Sequence, residues 1–214
     1  MLQLARRATS ALLNDAERSA LRAHFDQHFW ARLPGLLEPA LLSEIQRYVE
    51  SAEFVEERHL AVSPPSVDLT MKPGPASALL EMLFNDPAIY RDIEAITGSD
   101  PITHFTGFVY RLTPDLGHHH HWHNDLTGGR MIAMSVHLGP GPYEGGLLEL
   151  RDRESERVLG AAANTTPGDA VIFALAPSLQ HRVGAVTSGV KTAFAGWFGD
   201  GRTYADFFRS TATP

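Results

Sequence analysis

The sequence predicts a mainly β domain with N-terminal α-helices, its strands closing into a sandwich or barrel. Before Pro101, apolar residues recur at three- and four-residue spacing. After it, short segments rich in Val, Ile, Thr and aromatics alternate with Gly/Pro turns. The length of 214 residues suits one such domain, since β barrels often run to about 200–250 residues. A chain this long buries roughly 70% of its unfolded surface and needs no cross-links.

The elements follow in order. Residues 15–30 form a loosely apolar helix, and Pro34-Gly35-Leu36-Leu37 is a turn or short strand. From Glu38-Pro39 to Phe54, Leu41, Leu42, Ile45, Tyr48 and Val49 share one helical face, with Pro39 in the first turn. Residues 62–75 are rich in Pro, Ser and Gly and read as loop. A further helix spans 76–84. Asp86-Pro87 caps the next, which ends at Gly98. Eight candidate strands then lie near residues 103–112, 117–124, 130–138, 146–152, 158–163, 170–175, 181–187 and 191–198. The turns between them include Thr127-Gly128-Gly129, Gly139-Pro140-Gly141-Pro142, Pro167-Gly168-Asp169 and Ser188-Gly189. This divides the chain into a helical support (1–100), a β core (101–200) and a C-terminal segment (201–214), together one compact domain.

Composition removes several function classes. There is no cysteine, so there are no disulfides, thiolate metal sites or thiol nucleophiles. Metal ligands must be His, Asp or Glu, a set that suits ions such as Fe(II) and Mn(II). A net charge of −7 and the lack of a basic stripe argue against a nucleic-acid partner. No run approaches the ~20 apolar residues of a membrane span, and the stretch after Arg6-Arg7 is too short for a signal-peptide core. The expectation is a soluble, cytoplasmic protein.

The densest chemical signal is His118-His119-His120-His121-Trp122-His123-Asn124-Asp125. On a strand, residues i and i+2 share a face, so His123 and Asp125 can reach one ion. A third ligand must come from a distant strand, and His181 is the best candidate. Two histidines and a carboxylate form the facial triad of non-haem iron sites and leave positions open. Lys191 lies ten positions on (191 − 181) in an apolar setting, suited to pairing a buried carboxylate.

The string His123-Asn124-Asp125, then His181, then Lys191 resembles the 2-oxoglutarate/Fe(II) oxygenase superfamily, in its prolyl 4-hydroxylase-like branch. So do His181-Arg182-Val183, Glu144-Gly145-Gly146-Leu147-Leu148-Glu149 and Pro167-Gly168-Asp169-Ala170-Val171-Ile172-Phe173. The resemblance runs from about Ile102 to Gly199. It implies a double-stranded β-helix, a jelly-roll or cupin-like barrel of eight strands. It also implies Fe(II), 2-oxoglutarate and O2 as cofactor and cosubstrates, with succinate and CO2 released. His123, Asp125 and His181 would be the metal and catalytic residues. Lys191 would bind the cosubstrate's distal carboxylate, and Tyr110 resembles the tyrosine that assists it. The expected reaction is hydroxylation of a C–H bond in an amino acid, a peptidyl residue or a small metabolite. Related halogenases lack the carboxylate that Asp125 supplies.

His118 to His121 read as a solvated loop, with His119 and His121 on the His123 face if the strand is regular. His137 reads as a hydrogen-bonded core histidine. Trp122 and Asn124 face away from His123. Arg111 and Arg130 suit solvation or a substrate carboxylate. A cosubstrate-independent cupin dioxygenase, a non-catalytic binding barrel and a nucleic-acid demethylase are the alternatives.

Overall fold

The structure, a computed structural model, describes residues 2–5, 9–11, 13–59, 66–116 and 118–201. Four helices occupy the front half. Helix α1 (Asp15–His28) starts in a capping box, where Asn14 accepts from the Glu17 amide and Glu17 reaches back to Asn14. Helices α2 (Pro39–Glu50), α3 (Pro75–Phe84) and α4 (Pro87–Thr97) each begin on a proline, whose missing N–H costs nothing in the first turn. Gly98 closes α4 in the left-handed conformation.

The strands also begin in the front half. Strands β1 (Gln3–Leu4) and β2 (Thr9–Ala11) pair with each other, and β3 (Trp30–Leu33), β4 (Phe54–His59) and β5 (Ser66–Met71) follow. The back half holds β6 (His104–Leu112), β7 (His120–His123), β8 (Arg130–His137), β9 (Tyr143–Gly145), β10 (Leu148–Asp152) and β11 (Val158–Ala162). Then come β12 (Ala170–Ala174), β13 (Leu179–Val183), β14 (Val186–Gly189) and β15 (Lys191–Gly199). A seven-stranded sheet runs β3-β12-β8-β15-β6-β5-β4, a four-stranded sheet runs β11-β10-β13-β7, and β14 pairs with β9. All pairings between these strands are antiparallel.

Period-two alternation divides the core into two layers. On β15, Phe194 and Phe198 face the helices, joining Leu41, Ile45, Leu80 and Ile93. Ala193 faces the other way, into a second cluster with Tyr110, Leu148, Val171 and Phe173. That second layer is the interior of the double-stranded β-helix, and Lys191, Ala195 and Trp197 share its side of β15 by alternation.

Part of the expected loop at 62–75 is strand. Residues 62–65 lie outside the described set, while Ser66–Met71 pairs with β4 along Phe54↔Met71 to His59↔Ser66. The pattern concealed it because Ser66 and Asp68, both buried, are polar. An inward-facing apolar stripe is what a sequence reading detects. Likewise β9 forms within a segment read as turn. The expected strand at 117–124 shortens to β7, and the one at 181–187 divides into β13 and β14. The C-terminal segment beyond Gly201 lies outside the described residues. Among the described residues, no helix is long and apolar enough to cross a membrane.

Candidate active site

Strand pairing assembles the site. His123, the last residue of β7, lies directly opposite His181 on β13, and their ring centroids are 4.2 Å apart. Asp125 follows in the adjoining loop. Its Oδ1 lies 3.5 Å from His123 Nε2 and its Oδ2 lies 3.4 Å from His181 Nε2. The three donor atoms lie within 4.8 Å of one another. This spacing and donor set fit a divalent iron ion with open positions.

Neighbouring groups orient each donor. The His123 Nδ1–H donates to the His121 carbonyl at 2.6 Å, which leaves the Nε2 lone pair aimed at the site. Burial, then the charge of His181, pushes the His123 imidazole down to about 4, so it is neutral, its ligating form, near pH 7. Trp197 Nε1 donates to Asp125 Oδ2 at 2.7 Å. Burial alone would raise the Asp125 carboxyl. The hydrogen bond and charge of His181, with His123 and Trp197, outweigh it and hold Asp125 well below the usual carboxylate range.

The triad opens on a cavity of about 320 Å³, lined also by Phe108, Tyr110, Arg130, Phe173 and Trp197. Arg130 lies over the Trp197 ring, Cζ 3.6 Å from the ring centroid. Tyr110 is buried, and burial pushes its phenol above the ordinary range, so it stays a donor. Lys191 is not itself among the lining residues but lies beside Tyr110, which is: Lys191 opposes Leu112 and Ala193 opposes Tyr110. Lys191 is 3% exposed, its Nζ donates to the Gly146 carbonyl at 2.7 Å, and burial pushes its ammonium down to about 7. No carboxylate among the described residues forms an ion pair with it. A buried cation in that state fits an anionic ligand.

The remaining histidines depart from the regular-strand reading. His123 opposes His181, yet His120 opposes Val183, so three steps on β7 match two on β13. This is a β-bulge, and it puts His120 and His123 on the same cavity. His119 and His121 leave that face and pair with each other, Nε2 to Nε2 2.9 Å, in a separate depression beside Trp122. Nor is the run a solvated loop. His118 is buried and His120 reaches Asp68 Oδ2 at 3.0 Å. His137 is a core residue whose Nδ1 meets the Thr192 carbonyl at 3.2 Å. Arg151 and Arg182 both lie over the Trp122 ring, Cζ at 4.5 and 4.6 Å from its centroid. Arg111 stacks on Phe54 and is away from the cavity.

Sequence reasoning missed His59 and Asp68, which join His120 in a second His/Asp cluster. It also missed the Trp197 donor and the Gly146 carbonyl. No local signal marks Asp68. An alternating strand with Trp197 on the Lys191 face is the one clue that was available for Trp197.

Residues 107–199 match the family described as the 2OG-Fe(II) oxygenase superfamily. No curated protein sequence matches. Among solved structures, a Pseudomonas putida prolyl-4-hydroxylase is similar, with 20% identity over 86% of this chain and 99% of that one, and a TM-score of 0.61. A Trichoplax adhaerens prolyl hydroxylase in complex with a hypoxia inducible factor peptide fragment matches at 16% identity over 92% and 93%, TM-score 0.65. The epimerase SnoN in complex with Fe3+, alpha ketoglutarate and nogalamycin RO matches at 16% over 87% and 85%, TM-score 0.58.

Proposed function

On the premise that the core of this chain belongs to the 2OG-Fe(II) oxygenase superfamily, we propose that it hydroxylates an unactivated C–H bond of an amino acid, a peptidyl residue or a small metabolite. The observation that carries the reading is the convergence of His123, Asp125 and His181 on one point at the cavity. The superfamily uses iron(II), 2-oxoglutarate and dioxygen. Iron with its cosubstrates, when bound, supplies the oxidant and releases succinate and CO2.

The chain's own residues do the rest. His123, Asp125 and His181 hold the metal, and Trp197 fixes the carboxylate that completes the set. Lys191 pairs the distal carboxylate of 2-oxoglutarate, a charge-assisted contact away from water. Tyr110 donates to the same group. Phe108, Phe173 and Trp197 keep the cavity apolar and exclude bulk water from the reacting carbon. Arg130, held against Trp197, borders the space left for substrate.

The test is anaerobic titration of metal-free protein with Fe(II) and 2-oxoglutarate, followed by the weak visible charge-transfer band of the chelate. The band is expected in the wild type, absent in His123→Ala and weakened in Lys191→Ala. Folded, metal-loaded protein without the band moves the cupin or binding-module reading to the front. For candidate substrates, gain of one oxygen atom in the product supports hydroxylation, whereas an unchanged mass with inverted configuration points to epimerisation.

A further inference from the structure

The cavity carries a second set of two histidines and one carboxylate, which the proposed reaction does not use. It is assembled from three strands: His59 ends β4, Asp68 lies in β5 and His120 begins β7. Asp68 Oδ2 is 2.9 Å from His59 Nε2 and 3.0 Å from His120 Nε2. All three donor atoms lie within 4.8 Å of one another. The other oxygen, Oδ1, accepts from Thr70 Oγ1 at 2.7 Å.

Three features separate this arrangement from an ordinary polar contact. Asp68 is fully buried, and no lysine or arginine among the described residues pairs with it. A buried carboxylate needs a compensating positive charge. Both imidazoles approach one oxygen through Nε2 while a hydroxyl holds the other, which is how a monodentate ligand is supported from behind. Finally, His59 and His120 both line the cavity, and the His59 side chain is 33% exposed, so an ion has an entry path.

We propose that His59, Asp68 and His120 bind a second divalent first-row transition-metal ion, Zn(II) being one that takes two imidazoles and one carboxylate. This site is separate from the iron triad but adjoins it: the His120 and His123 ring centroids are 6.5 Å apart. Three protein ligands leave the remaining positions to oxygen donors from the cavity side. The substrate class this favours carries a carboxylate, hydroxyl or carbonyl oxygen beside the carbon to be oxidised.

The test is metal stoichiometry. Metal-free full-length protein is loaded with Zn(II), dialysed and measured by elemental mass spectrometry, with circular dichroism confirming the fold. Two equivalents are expected in the wild type and in His119→Ala/His121→Ala, and one in either His59→Ala or His123→Ala. None is expected in the His59/His123 double variant. His59→Gln serves as the second variant should His59→Ala fold poorly. One equivalent in the wild type, lost in His123→Ala and kept in His59→Ala, overturns the proposal and makes the cluster hydrogen-bonded only. One equivalent that is lost in His59→Ala and kept in His123→Ala upholds this site and removes the iron reading instead. Two equivalents reduced to one by His119→Ala/His121→Ala assign the second ion to the outer histidine pair, which also overturns it.

Discussion

Replacing Lys191 with methionine separates the cost of a buried cation from its use. Burial lowers the ammonium from 10.5 to about 7. Between those values the unfolded chain holds a proton that the folded chain does not, so stability rises with pH across that window. The penalty is fully present below about pH 7. About 3.5 pKa units at ~1.4 kcal/mol each amount to roughly 5 kcal/mol. Lys191→Met removes that penalty but leaves the buried Gly146 carbonyl without its 2.7 Å donor, a loss of about 1–3 kcal/mol. The metal-free variant is therefore more stable by about 2–4 kcal/mol near pH 6, or roughly 5–15 °C in Tm for a chain of this size. 2-Oxoglutarate binding moves the other way. Removing one partner of a buried charge pair costs about 3–5 kcal/mol, so Kd rises roughly a hundred- to several-thousand-fold. A 2-oxo acid lacking the distal carboxylate should bind both proteins alike. Thermal unfolding near pH 6, 8 and 10 and calorimetric titration of both acids with Mn(II) measure these quantities. An unchanged Tm near pH 6 with a flat wild-type profile above pH 7 means Nζ is hydrated, and unchanged 2-oxoglutarate affinity refutes the anchor.

Three further outcomes are expected. Trp197→Phe removes the 2.7 Å donor from Asp125 and should weaken metal affinity about 10–100-fold with little change in Tm. Gly146 has φ +59, and a Cβ there would lie 3.1 Å from Lys191 Cδ and 3.2 Å from the Tyr143 ring. Gly146→Ala should cost at least about 1–2 kcal/mol in denaturant unfolding and weaken 2-oxoglutarate binding. Burial pushes the His137 imidazole down to about 4, so the unfolded chain binds more protons between about pH 6.5 and 4 and stability falls as pH falls through that window. His137→Leu should flatten this part of the profile, and an unchanged slope assigns it elsewhere.

The legible part of the site was the part written at short range or in well-patterned strands. H-x-D needs only a strand end and the turn after it: His123 ends β7, and Asp125 lies in the loop beyond rather than on the same strand. His181 and Lys191 lie in strongly patterned segments; the Lys191 strand starts where expected, whereas the one expected to open at His181 starts at Leu179 and ends at Val183. His120 was not legible in the same way. The bulge on β7 adds one residue against β13 and reverses which histidines face the cavity, and only the pairing partner sets that offset.

The sequence by itself determined the helical front, the β-rich back and the residue types available to a metal, because periodicity and composition are local properties. The tertiary structure decided which polar groups meet. The β4–β5 hairpin joins the sheet beside β6 and turns Asp68 inward, where His59 and His120 reach it. No residue adjacent to Asp68 in the chain signals this. Asp68 is met by Thr70 two residues on, by His59 from the paired strand and by His120 from a strand far along the chain, and the two histidine contacts exist only once the strands have paired.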